Sequence, residues 1–93
     1  MNNLFIAYDL FRPGQNYEAV RAKIEALGTW SKVQQSLYYV HTALTPQQAQ
    51  ARIAPALDAN DKLVVIDAKG ANVVGYSDQW INAVNGVWFN RAA

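Results

Sequence analysis

The run Leu4-Phe5-Ile6-Ala7-Tyr8 constrains this chain more than any other stretch. Its residues are strand formers, and five consecutive apolar or aromatic side chains leave no alternation of two. A strand built from them needs cover on both faces. It is therefore read as a central strand, Asn3 to Asp9, ending in a carboxylate just before the Pro13-Gly14 turn signal. Leu63-Val64-Val65-Ile66 has the same two-faced character and is read as the last strand of the sheet.

Between these strands the punctuation is local and strong. Asn16 is placed to cap a helix in which Tyr17, Val20, Ile24 and Leu27 form one apolar stripe, with Glu18, Arg21 and Glu25 toward water and Gly28 as the stop. Trp30 to Gln34 and Gln35 to His41 read as two extended pieces of a hairpin, the second rich in strand formers. Thr45-Pro46-Gln47-Gln48 is a capping box with proline at the first helical position, so a second helix starts there. Pro55 removes an amide from that helix and predicts a tightened last turn before Asp58. Asn60-Asp61 then turns the chain into Lys62 to Asp67.

The element order is βαββαβ. With right-handed crossovers it predicts an α+β domain of ferredoxin-like type, an antiparallel four-stranded sheet with both helices on one face. The helix-free face then carries apolar side chains that need a second cover, and a homodimer formed sheet against sheet is the simplest supplier. The remaining segment can help to cover that face as well. Asn72-Val73-Val74-Gly75-Tyr76 reads as a fifth strand, and Ser77 or Asp78 as the cap of a short helix carrying Trp80, Ile81 and Val84, with Trp88 and Phe89 unexpectedly apolar beyond it.

Composition narrows the chemistry. The 93 residues suit a single domain, 1–93, near the size where oligomerisation helps to bury surface. A net charge of +1 gives no basic field of the kind that announces nucleic-acid binding, so any phosphate contact must be local. No cysteine is available for disulfides, thiol catalysis or metal ligation. The N-terminus enters the first strand without a basic leader, and no apolar run reaches the roughly 18 residues of a membrane span, so the expectation is a cytoplasmic protein with no membrane partner.

Tyr8-Asp9 closing the first strand, Leu27-Gly28 closing the first helix, and Val33-Gln34-Gln35-Ser36-Leu37-Tyr38 leading into the third strand resemble the small CRISPR-associated Cas-two family and its VapD-like relatives. The resemblance spans roughly residues 3 to 67. It implies a ferredoxin-like homodimer in which the two strand-one aspartates approach each other and, in some members, hold a divalent metal for phosphodiester cleavage. In other members the dimer is a nucleic-acid-binding scaffold that does not cut. Where the CRISPR relatives tend to carry a basic pair at the start of the first helix, this chain has Tyr17-Glu18. The Pro13-Gly14 turn and the Trp-rich C-terminal segment suggest a stand-alone branch.

Asp9 is accordingly the candidate catalytic residue and the candidate ligand for Mg2+ or Mn2+, against the plainer reading of an aspartate capping a turn. Arg12, Ser36 and Tyr8 are the candidate phosphate or nucleic-acid contacts. Their plainer readings are a solvated loop arginine, a backbone partner at a strand start and a packed phenol. His41, the single histidine, lacks an evident carboxylate partner for general-base work. Two classes of function survive: a metal-dependent endonuclease acting on RNA or DNA, and a non-catalytic dimeric scaffold or interaction module.

Overall fold

The computed structural model describes residues 1–11 and 17–89. The Asn16 cap, the Pro13-Gly14 turn and Arg12 lie outside the described residues. Four strands, β1 (Asn2–Asp9), β2 (Thr29–Gln34), β3 (Leu37–Thr42) and β4 (Lys62–Asp67), form one sheet in the order β2-β3-β1-β4. Every neighbouring pair is antiparallel. The helices are α1 (Tyr17–Glu25), α2 (Pro46–Ile53) and α3 (Asp78–Trp88). This α+β arrangement is compatible with the ferredoxin-like fold expected from the sequence.

β1 is central, and its two faces have different fates. Leu4, Ile6 and Tyr8 point to one side, where they pack with Tyr38 and Val40 of β3, Val20 and Ile24 of α1, and Ala49 and Ile53 of α2. Both sequence-predicted helices therefore cover the same face. Leu4, Ile6, Val20, Val40, Ile24 and Ile53 are completely buried, each burial contributing about 1.5–3 kcal/mol against the entropy of ordering the chain.

The helix boundaries follow their local chemistry. The Gln48 N–H donates to Thr45 Oγ1 at 3.2 Å and the Thr45 N–H to Gln48 Oε1 at 3.0 Å, the reciprocal pair that starts α2. After Ile53 the chain tightens into a single 3₁₀ turn, Ala54–Ala56, at Pro55. Ser77 caps α3, its Oγ accepting from the Trp80 N–H at 3.1 Å.

The opposite face departs from the sequence expectation at one segment and meets it at another. No strand forms at residues 72–76. Val74 is 95% exposed and Gly75 has a φ of 91°, a left-handed turn that breaks an extended run. The segment instead runs from the β4 edge toward β2, where the Tyr76 hydroxyl donates to the Val33 carbonyl at 3.1 Å. Part of the second cover then comes from the chain itself, because α3 lies on this face. Trp80 Nε1 donates to Ser31 Oγ at 2.9 Å, and the Trp88 ring stands 5.4 Å from Tyr39 and 6.0 Å from Phe5.

Two further details revise the sequence reading. The hairpin turn falls on Gln35-Ser36, so Ser36 sits in the turn and does not begin β3. Gly28 follows α1, but its requirement is closeness. The chain crosses against β3 there, and a Cβ would collide with the His41 carbonyl oxygen and press on the Thr42 Cβ at 3.2 Å. The crossing is held by Thr42 Oγ1, which donates to the Leu27 carbonyl at 2.7 Å. Gly28→Ala should therefore destabilise the fold by about 2–4 kcal/mol, read as a lower urea midpoint, while Gly86→Ala, with open space around it, should not.

Candidate functional site

Asp9 ends β1 directly opposite Lys62 of β4, and it is exposed. Because Leu4, Ile6 and Tyr8 point toward α1 and α2, Asp9 belongs to the second face, with Phe5 and Ala7. Just beyond it the chain is pinned. The Phe11 N–H donates to Asp61 Oδ1 at 2.8 Å, and Asp61 Oδ2 accepts from the Asp58 N–H at 2.8 Å, so the Asp61 carboxylate holds the strand exit against the turn before β4.

Tyr8 takes the other side of the sheet. It is buried, its ring lies 6.1 Å from Tyr17, and its hydroxyl donates to the Gln35 carbonyl over a long 3.4 Å. Ser36 comes close through its backbone, its carbonyl accepting the Tyr8 N–H at 3.1 Å. Tyr8 and Ser36 are thus brought together, while Asp9 faces the opposite side. Arg12 lies outside the described residues. Among the described residues no group of three or more His, Cys, Asp or Glu side chains could hold a metal ion.

His41 is buried within a polar network on the second face. Asn3 Oδ1 accepts from the Tyr39 hydroxyl at 2.5 Å and stands 3.0 Å from His41 Nδ1, a hydrogen bond when that nitrogen carries the proton. Asn3 Nδ2 donates to the Trp88 carbonyl at 3.3 Å, tying the end of α3 to β1. The histidine is satisfied by an amide and serves the packing of α3.

Sequence reasoning missed a small polar cavity at the hairpin end of the helix-covered face. It holds about 220 Å³ and is lined by Tyr8, Tyr17, Arg21, Lys32 and Gln35. Arg21, read from sequence as a water-facing position, is half-buried, because the α1 flank carrying Tyr17, Arg21 and Glu25 faces the uncovered end of β2. Glu25 accepts from the Tyr38 hydroxyl at 3.1 Å. The available signal was the spacing of four between Tyr17, Arg21 and Glu25, which aligns them along the helix beside the apolar stripe.

Burial shifts the phenols of both faces. Tyr38 is pushed up to about 12 by burial and by its hydrogen bond to the Glu25 carboxylate, and Tyr39 to about 12 by burial. Tyr8 is raised by burial, with the Arg21 charge acting in the opposite direction. Among the described residues no helix is long and apolar enough to cross a membrane.

No match is found among models of protein families, curated proteins or solved structures.

The raised tyrosines give a pH prediction with a definite sign. In the unfolded chain these phenols ionise near pH 10, while the folded chain keeps Tyr38 and Tyr39 protonated to about 12. Their contribution is complete below about pH 10 and is lost as pH rises toward 12. The melting temperature should fall across that window, and Tyr39→Phe should make the fall shallower.

Proposed function

We propose that this chain works as a homodimeric interaction module, a ferredoxin-like scaffold of the Cas-two type that joins two copies through the part of its second face left open by α3. One observation carries the reading. Val64 and Ile66 point to that face from the edge strand β4 and are 53% and 51% exposed. Phe5 and Ala7 of β1 lie next to them in register and are half-buried. An edge strand with apolar residues on an open face is a natural site for a second copy, since a twofold interface needs one self-complementary patch. The near-neutral charge of the chain suits such an assembly and offers no broad field for nucleic acid.

A second reading, a metal-dependent endonuclease acting on RNA or DNA, is favoured by the position of Asp9. Its exposed carboxylate shares the open face with Val64 and Ile66 and makes no hydrogen bond or ion pair with the described residues. Pairing across that face can bring two Asp9 side chains near each other, a hard oxygen set suited to Mg2+ or Mn2+. Such an ion would supply Lewis acidity at a phosphodiester. Asp9 from each subunit would hold it, and like-charge repulsion between the two carboxylates would be relieved when it binds.

Sedimentation of the wild type and of a Val64→Lys, Ile66→Lys double variant tests the assembly. A wild-type dimer at about 50 µM and a folded monomeric variant are expected, whereas a wild-type monomer rejects the scaffold. Labelled RNA and DNA, incubated with and without magnesium or manganese, separate the two readings. No cleavage by the dimer supports the scaffold. Metal-dependent cleavage that Asp9→Asn abolishes with the fold intact supports the nuclease, and cleavage unchanged in Asp9→Asn rejects the Asp9 mechanism.

A further inference from the structure

We infer that the polar cavity between α1 and the β2-β3 hairpin is an anion site for a phosphoryl group, with Arg21 and Lys32 as its cationic ligands. The inference rests on neither the dimer nor the Asp9 chemistry, since the cavity lies on the helix-covered face and Asp9 on the other.

The lining has the composition that phosphate recognition needs. Arg21 brings a planar fork of donors that engages two oxygens of a tetrahedral anion, and Lys32 brings a mobile point charge for a third. Tyr8 and Tyr17 contribute phenols and Gln35 an amide, all of which can donate to oxygen. Among the described residues the Tyr8 hydroxyl is held by the 3.4 Å contact to the Gln35 carbonyl, a weak bond that an anionic acceptor can replace.

The second part of the case is the electrostatic state of Arg21. It is half-buried, yet among the described residues neither Arg21 nor Lys32 forms an ion pair. Glu25, one turn along α1 from Arg21, opposes an incoming anion. It does not line the cavity, and it accepts the Tyr38 hydroxyl. A partly desolvated guanidinium beside a second free cation attracts an anion more strongly than a surface pair does, because its environment screens it less. The overall charge of +1 confines this attraction to the cavity.

The spread of donors favours phosphate over a simple carboxylate. They come from α1, β1, β2 and the hairpin turn, which suits a tetrahedral group, and about 220 Å³ leaves room for one. Tyr17 is half-buried at the lip and offers a ring on which a planar base can rest. The same chemistry fits free phosphate and the 5′-phosphate of a mononucleotide, and the two sources are separable.

The test is a titration of the intact chain at low ionic strength, followed by amide NMR and calorimetry, with inorganic phosphate in one arm and adenosine 5′-monophosphate in the other. Saturable binding is expected, with shifts centred on Tyr8, Tyr17, Arg21, Lys32 and Gln35. Arg21→Gln and Lys32→Gln should each weaken binding about tenfold, and Lys23→Gln, on the same helix but outside the lining, should leave it within about twofold. Lys32 is exposed, so its variant keeps the test valid if Arg21→Gln does not fold. Tighter binding of the nucleotide than of phosphate, lost in Tyr17→Ala, identifies a nucleotide site; equal binding identifies a phosphate site. No saturable binding in either arm, or equal weakening by Lys23→Gln, overturns the proposal.

Discussion

The structure depends on one constraint: β1 lies between two neighbouring strands and carries apolar side chains on both faces, so neither face can be left to water. The side bearing Leu4, Ile6 and Tyr8 is closed by α1 and α2 into a buried core, with Trp30 of β2, its ring 5.7 Å from Tyr38, left 45% exposed at the edge. The side bearing Phe5 is closed in part by Trp88, through ring contacts that also include Tyr39. Removing either layer would strand the central strand between water and half a core, and the two layers are therefore coupled through β1 itself.

The layers are built by different means. The first is held by interdigitated aliphatic side chains, with the Thr45 capping box setting where α2 begins. The second hangs on a few anchors. Trp80 on Ser31, Tyr76 on Val33 and Asn3 on the Trp88 carbonyl tie α3 and its approach to the sheet at both ends. Between those anchors Ile81, Val84 and Val87 are only half-buried, and a cavity of about 220 Å³ lies among Phe5, Tyr39, Trp80 and Trp88. The polar network of Asn3, Tyr39 and His41 is joined by hydrogen bonds through Asn3 Oδ1, so these buried polar groups have partners on the α3 side of the sheet.

The candidate chemistry is divided by the same sheet. The alternation along β1 sends Tyr8 and Asp9, neighbours in sequence, to opposite faces. Tyr8 joins Ser36 and the polar cavity beneath α1, while Asp9 looks out beside Val64 and Ile66. A catalytic centre combining both side chains in one chain is therefore not what this geometry offers. Asp9 lies on the open face, and the cations Arg21 and Lys32 line the cavity on the helix-covered one.

What the sequence determined by itself was whatever depends on contacts three or four residues long, or on the period of a single element. The Thr45 capping box, the Ser77 cap, the Pro55 turn, the α1 stripe and the two-faced strands all fall in this class, because each is settled by atoms already close along the chain. Tertiary structure decided the rest. Whether Val73 and Val74 join a sheet depends on where Gly75 turns the chain, and the closing of the Phe5 face depends on α3 returning across β2 and β3. Gly28 is required by the His41 carbonyl thirteen residues away, a crossing that no local signal encodes. Arg21 looked solvated on a helical wheel and became half-buried only when the end of β2 arrived beside it, since a helix's water-facing side is defined by what its neighbours leave uncovered.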